Sequence, residues 1–221
     1  MISCGGNMGY LFATNGTWLW TTSSLYDISN PSNPLPHSQQ GTYQYGGDTA
    51  FIIDSNVYIE NNGSVSIHTL GMQTYPQYES LTANPRHLAY APGVLYLLRH
   101  KTYPGGNEFC WQQSDSVNEL DVDQFSDTTY AATLLATVPL TDPNDLAISG
   151  STLFVLDGSD GLKVFNVSDP THPALLATAA NVQGYHLQLT GQSTLLVSST
   201  DGLDQYDISN PSRSKLLSKI Q

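Results

Sequence analysis

The sequence predicts an all-β fold, a five-bladed β-propeller built from four-stranded antiparallel blades. Three observations predict it: a six-residue motif recurs along the chain, short apolar runs alternate with turn residues, and charged residues are scarce. Only 12% of the 221 residues are charged, while 18 are Gly and 12 are Pro. This composition is typical of a loop-rich β protein. A chain of 221 residues is long enough to form a sizeable core.

The recurring motif sets the period of the repeat. Asp27-Ile-Ser-Asn-Pro-Ser32 returns as Asp207-Ile-Ser-Asn-Pro-Ser212 and, in looser form, as Asn166-Val-Ser-Asp-Pro-Thr171. Thr69 and Asp121 are placed in the same register, so that five anchor positions are separated by 42, 52, 45 and 41 residues. A period of about 40 to 45 residues is that of a four-stranded propeller blade.

The later units each open with a short apolar strand that ends at a turn. From the opening residue to the anchor there are 21 residues in the units that open at Asp48, Asp145 and His186, and 34 in the unit that opens at His87. The excess lies in residues 101–116, so one blade is expected to carry an insertion. The strand segments are short and rich in Leu and β-branched residues, and helical periodicity is not seen.

The repeat divides the chain into five consecutive blades within one predicted domain, residues 1–221. The blades are predicted at residues 1–43, 44–84, 85–141, 142–182 and 183–221. A single four-stranded blade cannot bury both of its faces, so the five are expected to pack around an axis. The phase of the repeat starts each blade with its innermost strand, which predicts whole blades with no exchange of a terminal strand.

Two segments carry a family resemblance. Residues 153–173 and residues 201–212 resemble the LVIVD repeat of bacterial and archaeal β-propeller proteins. The resemblance implies a propeller, commonly in secreted or cell-surface proteins, without a uniform biochemical activity. It supplies no catalytic motif, so no residue takes a role from it. Thr69 departs from the repeat, which usually has an acid at this position.

The charge of the chain narrows the classes of partner. Nineteen acidic and seven basic residues give a net charge of −12, which repels nucleic acid and anionic membranes. The apolar runs are far shorter than the roughly 18 to 20 residues of a membrane span. A protein or glycan partner is predicted, with self-assembly left open. The expected location is extracellular or at the cell surface, although this chain shows no signal-peptide pattern.

The opening residues of the innermost strands are the main candidate ligand site. Asp48, His87, Asp145 and His186 are expected to face a common space at the mouth of the central channel. Imidazoles and carboxylates in this alternation suit a divalent cation, and a ligand contact is a further alternative. In a third alternative, these groups form hydrogen bonds with one another as a polar lining, without a metal ion or a ligand. The prediction is a polar lining with no bound metal and no cofactor.

The insertion is the second candidate site. Tyr103, Phe109 and Trp111 lie on this loop, which the repeat does not need, and large aromatic residues on such loops are typical of recognition surfaces. The alternative is that they fold back and bury one another. Cys4 and Cys110 are left open between a disulfide bridge and free thiols, and Cys4 also follows a short lipoprotein-like sequence.

The predicted function is that of a non-enzymatic binding or scaffold propeller. It would mediate protein or glycan interaction at a cell surface or in an extracellular assembly. The alternative is a metal-assisted hydrolase resembling a lactonase or an esterase, with His87 and His186 as ligands and Asp48 or Asp145 as ligand or base. The sequence contains no Gly-x-Ser-x-Gly, His-Glu-x-x-His or phosphate-binding Gly motif that would favour another catalytic class.

Overall fold

The computed structural model describes ten stretches of the chain, all of them dominated by β-structure. They are residues 13–14, 17–20, 25–37, 50–53, 56–61, 64–69, 85–99, 117–126, 131–191 and 193–220. These stretches hold nineteen strands and one 3-10 turn, so the all-β prediction is confirmed. The chain divides into two compact units, Met1–Arg86 with Tyr103–Gln113 and His87–Thr102 with Ser114–Gln221.

The first unit contains two antiparallel sheets in its described residues. The first sheet has four strands in chain order, β1 (Ala13–Thr14), β2 (Trp18–Trp20), β3 (Leu25–Asp27) and β4 (Leu35–His37). The second sheet has three strands, β5 (Ala50–Ile53), β6 (Asn56–Asn61) and β7 (Ser64–Thr69). The fourth strand predicted for this sheet lies outside the described residues.

Three further sheets, each of four consecutive strands, follow from Pro85 onward. The third sheet comprises β8 (Pro85–Ala91), β9 (Val94–Arg99), β10 (Glu119–Ser126) and β11 (Ala131–Pro139). The fourth comprises β12 (Pro143–Ser149), β13 (Thr152–Asp157), β14 (Leu162–Asn166) and β15 (Ala174–Ala179). The fifth comprises β16 (His186–Thr190), β17 (Thr194–Ser199), β18 (Gly202–Asp207) and β19 (Lys215–Ile220).

The third, fourth and fifth sheets pack face to face through apolar side chains. Strand β13 shows how, because successive side chains of a strand point to opposite faces. Leu153 and Val155 join the core shared with the third sheet, whereas Phe154 and Leu156 join the core shared with the fifth. All four side chains are essentially inaccessible to solvent. A strand buried on both faces has a continuous apolar sequence, as residues 153–156 do.

The recurring motif builds the turn between the third and fourth strands of a sheet. The anchor side chain accepts a hydrogen bond from the backbone N–H two residues later, which forms an Asx turn. The bonds are Ser29 to Asp27 (2.9 Å), Ser168 to Asn166 (3.0 Å) and Ser209 to Asp207 (2.8 Å). A second such bond follows at Asn30, Asp169 and Asn210. The motif therefore recurs because it shapes a loop.

The anchor of the third sheet is Gln124, and its prediction at Asp121 was wrong by three residues. Gln124 pairs with Val94 at the start of its neighbouring strand, as Asn166 pairs with Thr152. From His87 to Gln124 there are 37 residues, 16 more than the 21 of the other units, and residues 101–116 number 16. The third unit lacks the Asn-Pro motif. Only an acidic residue, Asp121, indicated its register, and this residue is not the anchor.

Candidate functional site

Three of the predicted site residues lie at one end of the second unit. In an antiparallel sheet, the start of the first strand and the turn between the second and third strands lie at the same end. His87 is near the start of β8, Asp145 near the start of β12, and His186 starts β16. The end of the second unit at which β12 and β16 begin is called the loop end below.

The Asp145 carboxylate lies between two imidazole rings. Its Oδ1 is 3.5 Å from Nδ1 of His87, and its Oδ2 is 3.6 Å from Nδ1 of His186. The two rings are 6.2 Å apart between centroids and meet edge to face at 70°. Both imidazoles therefore point the same nitrogen at one carboxylate, an arrangement that suits an ion pair when a ring is protonated.

Asp145 also joins two neighbouring inner strands. Its Oδ1 accepts the backbone N–H of Leu146 at 2.8 Å, and its Oδ2 accepts that of Leu187 at 2.9 Å. The Asp145 side chain is 13% exposed, whereas the His186 side chain is 70% exposed. The carboxylate thus has a structural role between β12 and β16, and the exposed imidazole adds a group that titrates.

We expect His186 to titrate above its ordinary pKa of 6.5. The Asp145 carboxylate raises the pKa of His186 because it stabilises the imidazolium, and partial burial offsets only part of this effect. Because the pKa of His186 is raised on folding, the pair stabilises the fold fully below pH 6.5 and loses this effect as the pH rises through the folded-state pKa. An NMR titration of the ring protons measures the value.

The same titration of two variants identifies the cause. Asp145→Asn should bring the His186 pKa back toward its ordinary value. Asp169→Asn removes an exposed carboxylate from a loop of the fourth sheet and should leave the His186 pKa unchanged. A His186 pKa that does not fall in Asp145→Asn would contradict this assignment.

The other predicted site residues fall outside the described part of the chain. These are Asp48, the loop residues Tyr103, Phe109 and Trp111, and the two cysteines. Within the described residues, no group of three or more His, Cys, Asp or Glu side chains is arranged to hold a metal ion.

A polar cavity of about 500 Å³ opens at the loop end beside the His87–Asp145–His186 cluster. Asn144 and Tyr185, which precede Asp145 and His186 in the chain, both line it. The thirteen described lining residues are Asp142, Asn144, Gly158, Ser159, Asn181, Gln183, Gly184, Tyr185, Ser199, Thr200, Asp201, Asp204 and Lys219. No aliphatic side chain is among them, and three carboxylates face one ammonium group.

The segment between β15 and β16 forms one wall of the cavity. Gly184 lies so close to β17 that a Cβ atom there would stand 2.5 Å from the carbonyl oxygen of Ser198. The neighbouring Tyr185 N–H donates to that oxygen at 2.9 Å, and the Asn144 side-chain amide donates to the Gly184 carbonyl at 3.3 Å. A glycine is required here because the loop backbone packs directly on the strand.

Asp157 holds the part of the cavity lining that includes Asp142. This carboxylate is fully buried and accepts the backbone N–H groups of Thr141, at 2.9 and 3.0 Å, and Asp142, at 2.7 Å. Lys163 completes an ion pair with Asp157 and a second one with Asp160. Burial lowers the pKa of Lys163, but the two carboxylates outweigh it and the net pKa is raised. These contacts tie the backbone at Thr141 and Asp142 to the end of β13.

The residues that line the cavity are not predicted from the sequence. Asn181, Gln183, Asp201 and Asp204 lie in or beside polar turns, where such residues are ordinary. A comparison of equivalent positions in successive units would have shown the place beside Asp204 as unusual, because Ser199 stands where the two preceding sheets carry the charged Arg99 and Asp157.

The comparisons with solved structures show a β-propeller fold. The β-propeller domain of Cps50 (Swd1) from Myceliophteria thermophila has a TM-score of 0.65 at 10% identity, over 96% of this chain and 71% of its own. A candidate 6-phosphogluconolactonase from Bacteroides uniformis has a TM-score of 0.60 at 13% identity, over 93% and 68%. A chain of the nidogen/laminin complex has a TM-score of 0.62 at 13% identity, over 93% and 77%.

Sequence comparisons add the family of the repeat. No curated protein sequence matches the chain. In the part of the chain that the structure describes, no helix is long and apolar enough to cross a membrane. The family profile of the LVIVD repeat matches residues 25–38 and 142–180. These segments hold the Asx-turn motif of the first sheet and all four strands of the fourth sheet. The predicted resemblance to the LVIVD repeat is therefore confirmed in these two segments, and the chain has a β-propeller fold.

Proposed function

We propose that this propeller is a non-enzymatic binding protein and that the polar cavity at the loop end is its binding site. The observation that carries the proposal is the cavity itself, which is lined by amide, hydroxyl and carboxylate groups and by the exposed ring of Tyr185. Such linings suit a polar protein segment or a glycan, since both offer hydrogen-bond donors and acceptors. Asp145, which follows the lining residue Asn144, joins β12 to β16 as a structural group.

We also propose the number of blades, their boundaries and the location of the protein. We place five blades at the predicted boundaries, one for each sheet. Among the described residues, every sheet is built from strands consecutive in sequence, which supports blades without an exchanged terminal strand. The location is proposed as a cell surface or an extracellular assembly, where proteins that resemble the LVIVD-repeat family are common.

Isothermal titration calorimetry of the full chain tests the binding site. The panel comprises the methylamides of Nα-acetyl-lysine and Nα-acetyl-arginine together with neutral disaccharides. At least one compound is expected to bind, and Ser159→Trp should weaken it at least about tenfold, because Ser159 is exposed on the cavity rim and an indole would fill the space.

Ser193→Trp is the matched control for this variant. Ser193 is also exposed but lies in the turn between β16 and β17, at the other end of the fifth sheet. It should leave the affinity unchanged. The proposal fails if no panel compound binds, or if Ser159→Trp binds as the wild type does.

Self-assembly is a second proposed interaction, and it has its own observation. The outermost strands β15 and β19 expose Leu175 (55%), Leu217 (51%) and Ile220 (63%). Apolar side chains on an edge strand favour association with another chain. Sedimentation at increasing concentration would reveal it independently of the cavity.

A further inference from the structure

Three equivalent positions of the repeat carry Asp121, Lys163 and Asp204. Each lies three residues before the anchor of its sheet and pairs with the fourth residue of the neighbouring second strand, Leu97, Val155 or Val197. Two residues further along those second strands are Arg99, Asp157 and Ser199. The three sheets thus present the same pair of positions, the third-strand position and the second-strand position, with different residues.

The third and fourth sheets fill these positions with an ion pair. In the third sheet, a guanidinium nitrogen of Arg99 is 3.3 Å from Oδ2 of Asp121, and the Thr137 hydroxyl donates to Oδ1 at 2.9 Å. In the fourth, the charges are exchanged between the strands, with Lys163 paired to Asp157. A cationic side chain therefore meets a buried carboxylate at this place in both sheets.

The fifth sheet has the carboxylate without the cation on its second strand. Ser199 stands where Arg99 or Asp157 stands in the other two, and Asp204 is only 15% exposed. The Tyr206 hydroxyl donates to its Oδ2 at 3.3 Å. Its Oδ1 is buried, and within the described residues it accepts no hydrogen bond. Leaving a buried charged oxygen without a hydrogen bond is costly.

Lys219 neutralises part of this charge from the outermost strand. Its ammonium nitrogen lies 3.7 Å from Oδ1 of Asp204, which is an ion-pair contact but too long for a hydrogen bond. The Lys219 side chain is 37% exposed and lines the cavity wall together with Asp204 and Ser199. It is therefore positioned to compete with a cation that enters the cavity.

We propose that the cavity accepts a lysine or arginine side chain of a protein partner, whose cationic head completes the ion pair with Asp204. The proposal rests on the proposed function and names the ligand of that same site. In the neighbouring sheets, the protein's own Arg99 or Lys163 supplies the cation of the corresponding ion pair, which favours a basic side chain over a neutral sugar. Asp142 and Asp201 add negative charge to the walls, and the net charge of −12 attracts a basic partner.

Calorimetry with four probes tests the ligand chemistry. The methylamides of Nα-acetyl-arginine and Nα-acetyl-lysine should bind at least about tenfold more tightly than the neutral Nα-acetyl-citrulline methylamide, and more tightly than glucosamine, a free amine on a sugar. Affinity for the cationic probes should fall with added salt. Equal binding of charged and neutral probes, or preference for glucosamine, would overturn the assignment.

Two substitutions with opposite expected signs test the residues. Asp204→Asn should weaken the binding of Nα-acetyl-arginine methylamide at least about tenfold. Lys219→Gln should strengthen this binding several-fold, because a competing cation is removed. If either residue were merely structural, no gain in affinity would be expected. Asp169→Asn, far along the chain on an exposed loop, is the charge-matched control and should have no effect. Thermal unfolding of each variant checks that it is folded.

The outcomes separate this inference from the function on which it rests. If a neutral disaccharide binds and Ser159→Trp abolishes its binding while the cationic probes do not bind, the cavity is a binding site but the basic side chain is wrong. If Asp204→Asn binds the arginine probe as the wild type does, or Lys219→Gln weakens it, the role of Asp204 is overturned.

Discussion

Asp157→Ala is expected to lower the free energy of unfolding by about 3 to 5 kcal/mol, the usual cost of removing one partner of a buried ion pair. The substitution leaves the Lys163 ammonium without its buried partner. It also leaves the N–H groups of Thr141 and Asp142 without the acceptor that the carboxylate provides. Urea denaturation at pH 7 measures the change.

Asp160→Ala is the control for this prediction. Asp160 pairs with the same Lys163 and accepts the Thr141 hydroxyl at 2.7 Å, but it is much more exposed than Asp157. Its removal should cost far less stability. Equal losses of stability for the two variants would contradict the prediction, because the buried Asp157 would then contribute no more than the more exposed Asp160.

Asp123→Asn is expected to stabilise the protein by about 2 to 3 kcal/mol at pH 7. Asp123 is 4% exposed, and in the part of the chain that the structure describes its Oδ1 has no hydrogen-bond partner. Burial, together with the nearby Asp121 carboxylate, raises the pKa of Asp123 to about 6. The folded protein therefore disfavours the ionised form, and an isosteric amide removes this penalty.

The stability gained in Asp123→Asn should depend on pH. Because the folded-state pKa of Asp123 is raised, its ionisation costs nothing below the ordinary value of 3.8 and costs progressively more until the pH passes about 6. The gain from Asp123→Asn should thus be large at pH 7 and nearly absent at pH 4. A gain that is equal at both values would point to packing rather than to ionisation, and a loss at pH 7 would contradict the prediction.

The sequence predicts the sheets well because the signals that define them are local. The bond from Asp27 to Ser29, and its counterparts at Asn166 and Asp207, join residues two apart, so the motif that forms the turn can be read directly. The apolar run Leu153–Leu156 similarly indicates a strand buried on both faces. Where the motif is missing, at Gln124, the predicted register fails by three residues.

The site is only partly predictable from the sequence, because several of its contacts join residues that are distant in the chain. His87, Asp145 and His186 open successive inner strands, so the period alone indicates that they share an end. The ion pair of Arg99 with Asp121 depends on the pairing of β9 with β10, which residues 101–116 separate in the chain. The cavity depends on the close approach of Gly184 to β17, a contact between residues that no local pattern links.

The most direct test of the central claim, that the loop-end cavity is the binding site, is a ¹H–¹⁵N chemical-shift map of the full chain. Nα-acetyl-arginine methylamide is titrated first and the rest of the panel follows. The expected shifts are confined to the lining residues, with Asn181, Tyr185 and Thr200 among the largest. Shifts centred instead on the turns at Gly150 and Gly191, at the other end of the same sheets, or no shift with any panel compound, would contradict the claim.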